Sequence, residues 1–402
     1  MAGPAPLDPA DLAPVLAPFG ESRTLPAAAY TSEEVFAWEL RELFASTWVC
    51  VGRVDELLAP GQVRAVHVAA EGVLLARDSE GTVRAFSNVC RHRGHELAPI
   101  GDLLDARLIR CPYHSWSYRL DGTLRAAPTF IGTPGFDPSD HPLFELSIGT
   151  SGGWLWVDLS GEAPALEDHF GNLWEVTTPY ETGRLRAAAT HSYPVKANWK
   201  IVVENYNECY HCSTIHPELC QVTPPESGRD HQPTGMWLGG TMDLKPHAET
   251  MSLDGHSDGV PLRGVTGDLA RSVLYLTVVP NLLLSLHPDY VMTHVLTPIG
   301  PDETLVECSW LFPPEAWERP GFDPAYAVDF WDITNHEDWQ ACEGVMRGMR
   351  NRGYRPGPLS NWEGTVYQFL TVMGHLYRGD GLVVPTAPER SQSAYSPNTG
   401  PS

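Results

Sequence analysis

The sequence predicts an α+β protein in two parts. A small all-β domain comes first, followed by a larger domain in which an antiparallel sheet is flanked by helices. Three observations lead there. At 402 residues the chain exceeds one ordinary core and suggests about two domains. From about residue 48 to 160 the texture is short alternating or β-branched runs ("QVRAVHV", "GVLLARD", "TVRAFSNV") cut by turn stretches such as "SEGT" and "LDGTL". After about residue 161 helical spacing, long β runs and a further helical pattern follow one another.

Taken in order, residues 1–28 are rich in Pro and Ala and read as a flexible N-terminus. In 29–47, "SEEVFAWELRELFASTW" reads as a helix packing on the larger domain: Ser32 suits an N-cap, and Phe36, Leu40 and Phe44 recur at helical spacing. Residues 48–160 form the β domain, closed by "SGGWLWVDLSG". The larger domain, 161–385, opens with "NWKIVVENYNECYHC" at helical spacing. Gly, Pro, His and Asp dominate 221–264, which reads as long loops placed to cover a pocket. "SVLYLTVVPNLLLSLHPDYVMTHVLTPIG" and "ETLVECSWLF" then read as antiparallel strands, and "PAYAVDFWDITNHEDWQACEGVMRGMR" as a long helix. A Pro/Ser-rich flexible tail, 386–402, ends the chain.

Composition narrows the function. A hydrophobic content of 42% with 19% charged residues is that of an ordinary globular protein. A net charge of −23 argues against whole-chain binding to nucleic acid or an anionic membrane, while leaving room for a redox partner on a local basic patch. "MAGPAPLDPADLAPVLAPFG" has no basic n-region and no long apolar run, so a cytoplasmic location is expected. In that compartment eight cysteines are not a disulfide framework; Cys50 and Cys308, in apolar strand-like runs, read as core.

Two constellations carry chemistry. The first, "CRHRGHELAPIGDLLDARLIRCPYHSW", pairs Cys90 and His92 with Cys111 and His114. Two thiolates and two imidazoles in short paired spacings suit a metal held between two loops. Zinc would accept this set, and so would a [2Fe–2S] cluster with two Cys on one iron and two His on the other. Gly94 at a loop turn, Pro112 in a tight turn and a following "GTL" hairpin favour the cluster. The second is "ENYNECYHCSTIHPELC", residues 204–220. Cys209, Cys212, His216 and Cys220 could be a zinc knuckle, or Glu208, His211 and His216 a set for iron. Glu208 and His211 are spaced to share a helix face. His216 lies ~140° further round, so both histidines meet one metal only if the helix ends between them, which Pro217 favours. In the long helix, Asp338 falls on a stripe with Trp331, Cys342, Val345 and Met349, and Glu337 falls off it. An acid on an apolar face must be paired, protonated or metal-bound. Glu337 and Glu343 are the next candidates.

The form C-x-H-R-G, a gap, then C-P-Y-H-x-W resembles the Rieske motif of ring-hydroxylating-type oxygenases, and the resemblance runs from "AYTSEEVFAWELRELFASTWVCVGR" to "NWEGTVYQF". It implies a Rieske [2Fe–2S] domain over 48–160, with Cys90, His92, Cys111 and His114 as ligands, and a catalytic domain over 161–385. There His211, His216 and Asp338 would hold mononuclear Fe(II). Glu208 would be an electron-transfer bridge linking His114 of one chain to His211 of the next in a homotrimer. O2 would be co-substrate, and NAD(P)H would act indirectly through a flavin/iron–sulfur reductase or ferredoxin. Cys209, Cys212 and Cys220 would be small buried residues around the site. Glu at the bridge, with "ENY-ECYHCSTIHPEL", is similar to the branch acting on choline, glycine betaine, carnitine or stachydrine, implying hydroxylation or N-demethylation of a quaternary ammonium compound. Such a substrate suits an aromatic cage; the C-terminal half is rich in aromatics (Trp237, Tyr275, Trp310, Trp331, Tyr367), but aromatic residues also build cores, and the sequence names no cage. Aromatic-ring hydroxylation, natural-product tailoring and a plain Rieske electron carrier are the competing readings.

Overall fold

The computed structural model describes residues 3–57, 59–105 and 107–388. The first part is built from β1 (Val49–Arg53), β2 (Gln62–Val68), β3 (Glu71–Arg77), β4 (Val83–Ser87), β5 (Leu103–Asp105), β6 (Ile109–Arg110), β7 (Ser117–Tyr118), β8 (Leu124–Ala126), β9 (Glu145–Ser151) and β10 (Trp154–Asp158). They make a seven-stranded antiparallel sheet, ordered β1-β10-β9-β4-β3-β2-β5, and a small sheet, β6-β7-β8. The small sheet buries Ile109, Tyr118 and Leu124.

The second part is a seven-stranded antiparallel sheet of β11 (Arg186–Val195), β12 (Arg229–Asp230), β13 (Trp237–Asp243), β14 (Ser272–Val278), β15 (Leu282–Leu286), β16 (Val291–Gly300) and β17 (Glu303–Phe312). Its order is β11-β17-β16-β15-β14-β13-β12. The central strands read as nearly continuous apolar runs because both faces are covered. Leu274, Leu276, Leu282, Leu284 and Leu286 pack with Trp48, Trp154 and Trp156 from the first part. The other face, with Val273, Leu283, Cys308 and Trp310, meets Phe330, Trp331, Cys342 and Met346 of the helix Ala325–Met349. Strand alternation therefore turns Tyr275, between Leu274 and Leu276, to the helix side. The stretch 221–264, expected as loops, contributes β12 and β13 to this sheet.

The N-terminal residues differ from expectation. Leu12, Val15 and Leu25 are buried. Val15 and Leu16 lie against Gly374 of the helix Gly364–Arg378, where a Cβ would come within 2.9 Å of Leu16. Proline-rich composition signalled a loose segment, yet its few apolar residues find a groove. Beyond residue 388, the expected flexible tail lies outside the described residues.

One buried carboxylate ties three segments together. The helix Glu33–Glu39 is capped by Ser32, whose hydroxyl accepts from Val35 N at 3.3 Å. At its end, Glu39 accepts from Lys200 Nζ (2.6 Å), Trp199 Nε1 (2.8 Å) and Tyr377 Oη. Lys200 and Trp199 open the helix Trp199–Tyr206, and Tyr377 closes Gly364–Arg378. The helix leading to the second constellation is thus anchored at its start by buried polar contacts.

Candidate metal centres

In the first part, two loops converge. Residues 90–94 and 111–115 return the same way, with Gly94 N donating to Cys90 O (3.0 Å) and Ser115 N to Cys111 O (3.1 Å). Gly94 has φ +70°, the left-handed conformation glycine adopts without strain. Cys90 and Cys111 are buried free thiols, and Tyr118 Oη lies 3.4 Å from Cys90 Sγ. The rings of His92 and His114 stand 4.6 Å apart at 73°, and His92 stacks on Trp116. His92 Nδ1 is buried without a hydrogen-bond partner, which leaves a donor atom of the kind a metal completes. Two buried thiols on one side and two imidazoles on the other fit the donor set of a Rieske cluster.

In the second part, the helix ends earlier than the spacing suggested. Trp199–Tyr206 stops at Asn207, whose side-chain amide donates to Val203 O (2.6 Å) and Thr277 Oγ1 (2.8 Å). Glu208 and His211 therefore do not share a helix face; a turn joins them. Glu208 Oε2 accepts from the backbone N–H of Tyr210 and of His211 (3.1 Å), and Oε1 meets His211 Nδ1. A short helix, Cys212–Ile215, then ends at His216 (φ −119°, ψ 70°), as Pro217 requires of its predecessor.

That path brings His211, His216 and Asp338 together, with one donor atom from each within 4.8 Å of the others. Asp338 Oδ1 lies 2.9 Å from His216 Nε2 and 3.4 Å from His211 Nε2. Both rings face one carboxylate oxygen through Nε2, and each outer nitrogen is held by a glutamate: His211 by Glu208, His216 by Glu337 Oε2 at 2.8 Å. Burial opposes charging of His211, but hydrogen bonds and charge from Asp338 and Glu208 outweigh it and raise its pKa to about 10. Burial likewise opposes ionisation of Asp338, yet its bonds to His211 and His216 bring it down to about 2. The carboxylate is negative and turned toward two ring nitrogens, which suits a divalent cation bound by two His and one carboxylate.

Several expectations change. Val345 is exposed and does not belong to the buried stripe of Ala325–Met349. Glu337 is the outer partner of His216, and Glu343 lies elsewhere, near Lys196 N and Arg347. Cys209 and Cys212 form a disulfide and are not independent bystanders; Cys220 Sγ donates to Cys212 O at 3.3 Å. The zinc-knuckle set Cys209, Cys212, His216 and Cys220 is therefore not assembled.

A cavity opens beside the triad, lined among others by Tyr206, Tyr275, Trp331 and Trp362, with Glu226, Arg229 and Asp230 from the 221–264 stretch. Of the aromatic residues noted in the sequence, Tyr275 and Trp331 reach it. Trp237 and Trp310 are buried in the sheet, and Tyr367 packs on Phe19. Tyr206 and Trp362, not singled out in the sequence, also line it. Tyr206 sits two residues before Glu208, a position visible in "ENYNEC" once the helix end is known.

Residues 47–136 match the family described as Rieske [2Fe-2S] domain, and 182–379 match Ring hydroxylating alpha subunit (catalytic domain). The glycine betaine monooxygenase oxygenase subunit of Chromohalobacter salexigens is 32% identical over 365 residues, covering 84% of this chain and 82% of its own. The carnitine monooxygenase oxygenase subunit of Acinetobacter baumannii is 35% identical over 339 residues, covering 83% and 86%. A solved quaternary ammonium Rieske monooxygenase superposes with a TM-score of 0.78 at 24% identity, covering 93% of this chain and 100% of that one, and so shares the fold.

Proposed function

Since this chain belongs to the Rieske non-haem iron oxygenase family, an oxidoreductase family served by a reductase, we propose that it hydroxylates an N-methyl group of a quaternary ammonium compound. The observation that carries the proposal is the His211–His216–Asp338 triad opening onto a cavity walled by Tyr206, Tyr275 and Trp331. Aromatic faces attract a trimethylammonium group, and the carboxylates around the cavity favour a cation further. The names of the glycine betaine and carnitine relatives support the same substrate class.

Cys90, His92, Cys111 and His114 would hold the [2Fe–2S] cluster, and His211, His216 and Asp338 the mononuclear iron. When bound, these groups supply single electrons and oxygen activation, so that O2, two electrons and two protons convert a C–H into C–OH and water. The chain's own residues do the rest. Glu208 and Glu337 hold the outer nitrogens of His211 and His216, which keeps both Nε2 atoms aimed inward. Tyr206 and Trp331 hold the ammonium group beside the triad. Hydroxylation of an N-methyl carbon gives a product that collapses to formaldehyde and the demethylated amine. A carrier of electrons alone would leave the triad and its cavity without a use.

Glu208 is also the bridge in this proposal. It lies at the outer side of the triad next to Tyr210, which is 61% exposed, a placement that suits contact with His114 of a neighbouring copy in a trimer. No helix among the described residues is long and apolar enough to cross a membrane. Oxygen and NADH consumption with a surrogate reductase, comparing quaternary amines with aromatic acids, tests the substrate class; uptake coupled only to aromatic acids would end it. Glu208→Ala, loaded with saturating ferrous iron, is expected to keep the cluster and the third iron and lose nearly all turnover. Full activity in that variant removes the bridging role.

A further inference from the structure

Three of the rings that line the cavity are not equivalent. Tyr206 and Tyr275 stand 6.0 Å apart at 74°, and Tyr275 and Trp331 stand 6.3 Å apart at 68°. Two have their polar atoms tied into the wall. Tyr206 Oη is 2.8 Å from Ser285 Oγ. Trp331 Nε1 donates to Tyr290 Oη at 2.7 Å, which in turn donates to Met251 O at 2.7 Å. These rings offer the cavity only π faces. Tyr275 differs: its hydroxyl is buried and has no hydrogen-bond partner. A buried hydroxyl left unbonded is costly and is best explained by a partner that arrives later. Burial, reinforced by the charge of Asp338, holds its pKa well above the ordinary phenol value, so it stays a proton donor at any working pH.

The guanidinium at the cavity does not compete for that partner. The arginine that lines it, Arg229, is bound by Asp243 through both terminal nitrogens, at 3.0 and 2.6 Å. We infer that Tyr275 is the specificity-determining donor of the site, its hydroxyl binding an oxygen acceptor on a substrate whose N-methylated ammonium group rests against Tyr206 and Trp331. The inference rests on the quaternary ammonium reading and sharpens it: the ligand carries a carboxylate or hydroxyl a short distance from its ammonium group. A bare tetraalkylammonium ion would fill the aromatic wall and leave Tyr275 unbonded.

The test compares glycine betaine, choline and tetramethylammonium, with binding to the anaerobic ferrous protein measured by calorimetry for wild type and Tyr275→Phe. The ring is kept, and the visible absorption of the cluster together with the melting temperature reports that the variant is folded. Loss of one hydrogen bond to a charged acceptor is expected to weaken glycine betaine about tenfold or more. Choline, a neutral acceptor, should weaken by about threefold. Tetramethylammonium should bind both proteins alike. No change for glycine betaine, or an equal loss for all three ligands, overturns the role of Tyr275 alone. Failure of wild type to bind any of the three overturns the ammonium reading and this inference with it.

Discussion

The two candidate metal centres are built on opposite plans. The proposed cluster donors lie between residues 90 and 114, in two loops that close on their own backbone bonds. The candidate iron donors are brought together from residues 211–216 and from Asp338, 122 positions beyond His216. The first region is local; the second depends on how distant helices are held. Charge divides the same way. Residues 47–136 contain ten arginines, nine carboxylates and no lysine, a net charge of +1. The remainder carries 17 basic and 41 acidic residues, −24. The acidity of the chain therefore belongs to the catalytic part and its flanks, and the electron-carrying domain is close to neutral. A local centre tolerates change elsewhere; an assembled centre feels changes at its supports.

The sharpest way to break this independence is to remove the one donor that crosses the long gap. Asp338→Ala is expected to lose the mononuclear iron and all turnover while keeping the brown cluster, read as two irons and two sulfides per chain in place of three irons. Retention of the third iron would point to another ligand. Loss of cluster colour would mean that the two regions fold as one unit after all.

The same contrast explains what was legible in the sequence. Cys90, His92, Cys111 and His114 could be read together because their short paired spacing is itself the signal for the proposed site. Between residues 272 and 312 the strands were equally plain, since burial on both faces leaves long apolar runs. Asp338 was suggested by its misfit on an apolar stripe and by the family resemblance, and Val345, on the same stripe, proved exposed. Helical periodicity continued through Glu208 on paper, but Asn207 spends its side chain on Val203 and Thr277 and ends the helix. Nothing local announces Thr277 as a partner. The docked N-terminus was hidden for a related reason: a few buried apolar residues among prolines carry no period, and their groove lies on a helix more than 330 residues away.

A second prediction tests the supports of the assembled centre. Lys200 and Glu39 are buried together, and burial pulls the Lys200 pKa down while Glu39 works to hold it up. Glu39→Ala strands that ammonium group, which costs about 3–5 kcal/mol. The melting temperature of the catalytic part should fall, and iron should be lost before the cluster as temperature rises. Simultaneous loss of both would show that the first region leans on the same support. The double variant Glu39→Leu with Lys200→Met, which leaves no unpaired charge, should recover much of the loss.

The smallest effect is expected at the atom farthest from the chemistry. Glu337 touches neither the cavity nor the shared carboxylate oxygen; it holds His216 Nδ1 from behind, and it is the residue next to Asp338 on the same helix. One turn of helix thus delivers a candidate ligand and the support of a second. Such outer partners fix the ring tautomer and typically contribute 10–100-fold in metal affinity. Glu337→Ala should weaken ferrous or cobaltous binding by about that factor, leaving the cluster spectrum and the melting curve unchanged. Glu337→Gln keeps an acceptor for the Nδ1 proton, so it should bind metal nearly as well as wild type. If alanine and glutamine weaken the metal equally, the carboxylate charge matters and not the orientation of the ring. If neither does, His216 is positioned by its own backbone at the end of Cys212–Ile215, and the assembled centre is more rigid than its long sequence separation suggests.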